Sequence, residues 1–156
     1  MALALEGLGV VDADTHLTER HDLWTSRAPA SGILDRFPAL RFVSVESGIG
    51  WVPFIREALD YEMAENAPRQ LERLSMRPSE YFRRQSYSTY WFEQGHDRIA
   101  DLVATVGEDN VLFETDFPHP TCLYPDPLRT IEKIRPLRPE VQRKVPGENT
   151  ARLYRI

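Results

Sequence analysis

Short apolar runs alternate along the chain with longer stretches in which apolar residues recur at steps of three and four. The first run, residues 8–12, reads as a short buried strand. Residues 17–31 are polar and irregular, with Pro29 and then Gly32 as breakers. Residues 32–37 allow one or two helical turns, stopped by Pro38. Residues 40–45 (LRFVSV) are β-branched and aromatic, a strand pattern, and run into the glycine-rich turn 46–50. Val52, Ile55, Leu59 and Met63 then recur at helical spacing, and Pro53 suits a first turn, so a helix is expected over 52–66. Pro68 and Pro78 divide residues 67–84 into short helical pieces. Residues 86–92 (SYSTYWF) read as a strand. Ile99, Leu102, Val103 and Val106 mark one face of a helix over 96–106, with Gly107 as its stop. Residues 111–114 (VLFE) form another strand pattern and lead into TDFPH. Leu128, Ile131 and Ile134 suggest a helix after Pro127, and the tail GENTARLYRI a last short one.

Strands alternating with helices imply an α/β fold: a parallel sheet under helical cover. Such folds keep their chemistry at the carboxyl ends of the strands. Asp14, His16, Glu46, Glu93, Asp116 and His119 all fall at or just past an expected strand end. No internal repeat or low-complexity segment interrupts the pattern.

The chain's 156 residues suit one domain, and 42% apolar with 28% charged residues is the balance of a soluble globular protein. The net charge of −5 argues against a nucleic-acid partner. Arg69, Arg73, Arg77, Arg83 and Arg84 form a basic stretch, but Glu72 and Glu80 interleave it, as on a solvated helical face. No apolar run approaches the roughly 20 residues that span a bilayer. The start lacks the basic segment of a signal peptide, so the cytoplasm is the expected location. Cys122 is the single cysteine, so no intrachain disulfide is possible.

Asp14-x-His16 at a strand end can aim two ligands at one point, because residues two apart face the same side. A carboxylate with an imidazole suits zinc or a related divalent ion. The same spacing also arises by chance in polar turns. Asp12 shares that face and could orient a ligand or cap a helix. Asp116 would face the same mouth from the last strand; an Asx turn is the plainer alternative. His119 is either a site imidazole or a surface one. Glu46 directly follows an apolar strand, where desolvation could fit it for general acid or base work; a pairing with Arg41 or Arg56 is the alternative. Trp51, Tyr90 and Trp91 line either an aromatic pocket or the core. Nucleophile-elbow, P-loop and dinucleotide-binding motifs are absent.

Taken together, VVDADTHLTE, DLWTSR, LRFVSVESGIGWVPFIREALDYE, VLFETDFPHPTCLYPDP and GENTARLY resemble the amidohydrolase-related metal-dependent hydrolases. That group includes aminocarboxymuconate semialdehyde decarboxylase-like and dihydroxybenzoate decarboxylase-like enzymes. The resemblance implies a (β/α)₈ barrel with one divalent metal, often zinc, at its carboxyl mouth. It implies cleavage of C–C bonds of carboxylates, or hydrolysis of C–N and C–O bonds, in a small carboxylated or cyclic substrate. Asp14 and His16 match the family's first-strand ligands, and Asp116 the last-strand aspartate, a ligand that also handles protons. Glu46 lies at the end of the strand that matches strand six, near where many relatives place a catalytic histidine, so the chain departs from the family there; with Asp116, Glu46 and His119 are the candidate catalytic residues.

The chain departs from the family in length, since such a barrel takes about 250 residues. The strands matching two to five are missing, and with them the histidine of strand five, for which His21, His96 and His119 are the substitutes at hand. Pro146 stands where relatives tend to carry an aliphatic residue. The retained strands match one, six, seven and eight, a contiguous sector of a barrel. Open sheet edges then suggest a homodimer closing an eight-stranded barrel, or else an open four-stranded sheet. A non-catalytic remnant that self-associates, and a fragment whose function resides in full-length relatives, are the competing expectations.

Overall fold

The computed structural model describes residues 10–12, 31–93 and 98–156. They divide into two compact units. One comprises the described residues up to Val43 with Phe54–Ser86, and the other Ser44–Pro53 with Tyr87–Ile156.

The first unit begins with strand β1 (Val10–Asp12) and a single helical turn, α1 (Ile33–Arg36), which leads into β2 (Arg41–Ser44). The two strands are parallel, in the register Val10↔Arg41, Val11↔Phe42 and Asp12↔Val43. This corrects the contiguous-sector expectation, in which the first strand would lie beside the last. Strands that are neighbours in sequence usually pair, and among the described residues β2 is the next strand after β1. Helix α2 (Val52–Asn66) has the span that its spacing predicts, and α3 (Pro68–Leu71) and α4 (Pro78–Gln85) are the expected short pieces. Proline opens both α3 and α4, where its missing N–H costs nothing. Asp60 also secures the start of α4 by accepting from Ser79 N–H at 2.9 Å and Ser79 Oγ at 2.6 Å. Leu34, Val43, Met63 and Tyr81 are buried. Fully buried Gln85 donates from Nε2 to the carbonyls of Phe37 and Leu40, both at 3.0 Å, which ties α4 to the approach of β2.

In the second unit β3 (Ser86–Tyr90) and β4 (Val111–Phe113) are parallel, with Ser88↔Val111, Thr89↔Leu112 and Tyr90↔Phe113 in register. Their connection contains α5 (Ile99–Val106), which buries Ile99, Val103 and Val106. Gly107, at φ 115°, ends that helix as expected. After α6 (Leu128–Glu132), helix α7 (Pro139–Arg143) was not anticipated. It passes through a π turn (Lys144–Glu148) into α8 (Asn149–Tyr154). Pro146 has no N–H to continue an α pattern, which accounts for the wider turn. Val141, Val145 and Leu153 are buried along this stretch.

Parallel strand pairs with connecting helices establish an α/β fold. Among the described residues no helix is long and apolar enough to cross a membrane.

Candidate active site

Glu46 and Asp116 stand just past β2 and β4, both within the second unit. Both adopt left-handed backbone conformations, Glu46 at φ 60° and Asp116 at φ 56°. For a residue with a side chain this costs about 1–2 kcal/mol, so the surroundings must hold it in place.

At Asp116 the chain turns sharply. The His119 N–H donates to the Asp116 carbonyl at 2.9 Å, around a cis Phe117–Pro118 bond. This brings His119 Nδ1 to 2.5 Å from Asp116 Oδ1, while Thr121 Oγ1 donates to Asp116 Oδ2 at 2.6 Å. The Asp116 side chain is only 3% exposed, that of His119 58%. The Thr121 hydroxyl first, and His119 next, hold the Asp116 carboxyl below the usual carboxylate range. Glu46 Oε1 lies 3.5 Å from His119 Nδ1.

The turn carrying Glu46 is fixed at several points. Its first N–H, that of Glu46 itself, donates to Glu114 Oε1 at 2.9 Å. Farther on, the Ile49 N–H donates to Glu93 Oε1 at 2.5 Å. The Gly48 carbonyl accepts from Ser88 Oγ at 2.7 Å and from Trp51 Nε1 at 2.9 Å. Burial pushes the Glu114 carboxyl up to about 7; hydrogen bonds from Thr89 and from the Glu46 N–H oppose the shift, and the Glu46 and Asp116 charges add to it.

Glu46, Asp116 and His119 each offer a ligand atom, all within 4.8 Å of one another. Donors to one ion sit about 2.0–2.2 Å from it, hence up to about 4 Å apart, so small side-chain rotations would close this group around a cation. Two carboxylates and an imidazole are also the donor chemistry of a divalent transition metal. The residues present therefore fit such an ion. Asp14 and His16, expected as ligands, lie outside the described residues, as do His21 and His96. Arg41 Nη1 donates to the Pro38 and Leu40 carbonyls, at 2.9 and 3.1 Å. Tyr90 and Trp91 are buried, as their core alternative has it. Sequence reasoning passed over Glu114 and Thr121. The pattern offered a signal only for Glu114, an acidic residue closing an apolar strand two positions before Asp116.

Carboxylates and an imidazole gathered past the ends of parallel strands lie where α/β enzymes keep their chemistry. The chain belongs to the amidohydrolase family, whose model matches residues 6–156. A solved 5-carboxyvanillate decarboxylase from Sphingomonas paucimobilis is 32% identical, with a TM-score of 0.68 over 83% of this chain and 38% of that one. A dihydroxybenzoic acid decarboxylase from Polaromonas sp. JS666, with bound manganese and the inhibitor 2-nitroresorcinol, is 20% identical. Its TM-score is 0.66 over 85% of this chain and 39% of that one. A 5-carboxyvanillate decarboxylase from Novosphingobium aromaticivorans DSM 12444, complexed with manganese and 4-hydroxy-3-methoxy-5-nitrobenzoic acid, is 21% identical, with a TM-score of 0.67 over 83% and 37%. The last two share the fold. No curated protein sequence matches the chain. The chain spans about two fifths of the length of the solved structures it matches.

Proposed function

We propose that this chain carries a metal-dependent decarboxylase or hydrolase site for small carboxylated cyclic acids, aromatic ones foremost. The approach of Glu46, Asp116 and His119 to within 4.8 Å of one another carries this reading. Asp116 and Glu46 would hold the ion, joined by Asp14 and His16 on the strength of the family resemblance. A divalent ion bound there, manganese or zinc, polarises a substrate carboxylate or carbonyl oxygen. With Nδ1 engaged by Asp116, His119 would act through Nε2, taking or returning a proton at the substrate rather than holding the ion. Solved relatives that hold manganese with nitro-substituted phenols or benzoic acids support the substrate class.

Calorimetric titration with Mn²⁺ and Zn²⁺, coupled to an assay of CO₂ release from hydroxybenzoic acids, tests the proposal. Stoichiometric binding that Asp116→Asn abolishes is the expected result. Metal content that Asp116→Asn leaves unchanged would overturn it.

We also read residues 1–156 as one truncated (β/α)₈-type barrel domain that a second copy completes. Light scattering should then report twice the 18.0 kDa chain mass, and a monomer at micromolar concentration would refute the pairing.

A further inference from the structure

We propose that Glu114 is a positioning residue for the Glu46 carboxylate, acting as a hydrogen-bond acceptor rather than as a charge. Glu46 sits in the left-handed region, which residues with a side chain rarely adopt and which neighbouring structure must enforce. Its N–H is directed to Glu114 Oε1, at 2.9 Å and across 68 residues of sequence. Glu114 is well placed to impose a direction. It is partly buried and directly follows β4, whose pairing with β3 fixes the backbone just before it.

The other end of the turn is secured without Glu114. Glu93 accepts from the Ile49 N–H through Oε1, at 2.5 Å, and from the Trp91 N–H through Oε2, at 3.2 Å. Ser88 and Trp51 hold the Gly48 carbonyl between these points. Losing the Glu114 acceptor therefore frees the near end of the turn, where Glu46 stands, and leaves the far end in place. An acceptor role predicts that glutamine, whose Oε1 can take the same N–H, substitutes well, whereas a charge role predicts that it does not.

The inference rests on the proposed metal site for what Glu46 does, and on the hydrogen bond alone for how Glu46 is held. Two readouts on the full chain separate these. The first is hydrogen exchange and the ¹⁵N-correlated shift of the Glu46 amide in wild type, Glu114→Gln and Glu114→Leu. The amide should stay protected in wild type and Glu114→Gln and lose protection in Glu114→Leu. The second is Mn²⁺ titration. Glu114→Gln should bind within about threefold of wild type and Glu114→Leu about 10–100-fold more weakly, the usual penalty for losing a residue that orients a ligand. A Glu46 amide unaffected by leucine, or a glutamine variant as impaired as leucine, would overturn the proposal. Should Glu114→Leu fail to fold, Glu114→Gln decides: a native-like amide and affinity support the acceptor role, and loss of either refutes it. If wild type binds no Mn²⁺, the metal reading fails, and the amide measurement still decides whether Glu114 holds the turn.

Discussion

His119 Nδ1 lies 2.5 Å from Asp116 Oδ1, on a carboxylate whose other oxygen is occupied by Thr121 Oγ1 at 2.6 Å. Asp116 is thus the least exposed member of the site, with a partner on each carboxylate oxygen. This orders the expected losses. Asp116→Asn removes a charge and one of the two carboxylate oxygens, and should weaken Mn²⁺ binding by at least about 100-fold, beyond the usual cost of removing an orienting residue. Thr121→Val removes only an orienting hydroxyl, and should cost roughly tenfold. Calorimetric titration of both variants checks the order. A Thr121→Val loss larger than that of Asp116→Asn would show that Asp116 does not hold the ion.

The strands, the long helix over 52–66 and the glycine stop at 107 were legible because each rests on local chemistry: β-branched runs, helical spacing and a residue free to take positive φ. The turns that carry Glu46 and Asp116 could be placed at strand ends by the same pattern. Their left-handed backbones could not, nor could the carboxylate that anchors the Glu46 turn, because that contact joins residues far apart in sequence: Glu114 reaches Glu46 across 68 positions. The partner of β1 was misjudged for a related reason. Pairing follows there from the order of strands in a complete barrel, whereas among the described residues β2 is the next strand after β1 and pairs with it. Helix α7 escaped notice because its five residues contain too little apolar periodicity to register.

Gly48 leaves no room for a side chain. A Cβ there would stand 2.5 Å from Glu93 Oε1 and 2.6 Å from Phe92 Cζ, and φ is already +68°. Gly48→Ala should therefore destabilise the protein by at least about 1 kcal/mol from backbone strain alone. It should also displace Glu93 from the Ile49 N–H. Urea unfolding measures the first effect, and amide exchange at Ile49 the second. A variant as stable as wild type with Ile49 still protected would mean that the turn is looser than the contacts imply.

Asn149 is fully buried at the start of α8, and its Nδ2 donates to the carbonyls of Glu108 at 2.7 Å and Val111 at 2.8 Å. It joins the C-terminal helix to the entry of β4, the strand that leads to the site. Asn149→Ala leaves both carbonyls without this donor, and should cost about 2–4 kcal/mol in chemical denaturation, given about 1–3 kcal/mol for each unsatisfied buried group. Asn149→Asp should fare no better, because a carboxylate cannot donate to either carbonyl. A loss below about 0.5 kcal/mol in Asn149→Ala would mean that water replaces the amide without penalty.

In the first unit the pKa values of Asp35 and Tyr81 are shifted in opposite directions within one hydrogen-bonded group. Ser75 N–H donates to Asp35 Oδ2 at 3.0 Å, and the Ser75 and Tyr81 hydroxyls also donate to that carboxylate. Hydrogen bonds from Ser75 and then Tyr81 lower the Asp35 pKa, with a smaller contribution from the Arg84 charge. Burial first, and the Asp35 hydrogen bond next, raise that of Tyr81. A carboxyl lowered on folding stabilises the protein above its unfolded value of about 3.9, and the benefit is lost as pH falls through the folded value. A phenol raised on folding stabilises below its unfolded value of about 10, and the benefit is lost as pH rises through the folded value. The melting temperature should therefore fall on both the acid and the alkaline side. Asp35→Asn should melt lower than wild type near neutrality and show a shallower decline into acid. Tyr81→Phe should flatten the alkaline limb and, by removing one of the donors to Asp35, part of the acid limb as well. Melting curves from about pH 3 to pH 11 for the three proteins supply the comparison, spanning both reference values. Parallel curves for wild type and Asp35→Asn below neutrality would show that other carboxylates govern the acid transition.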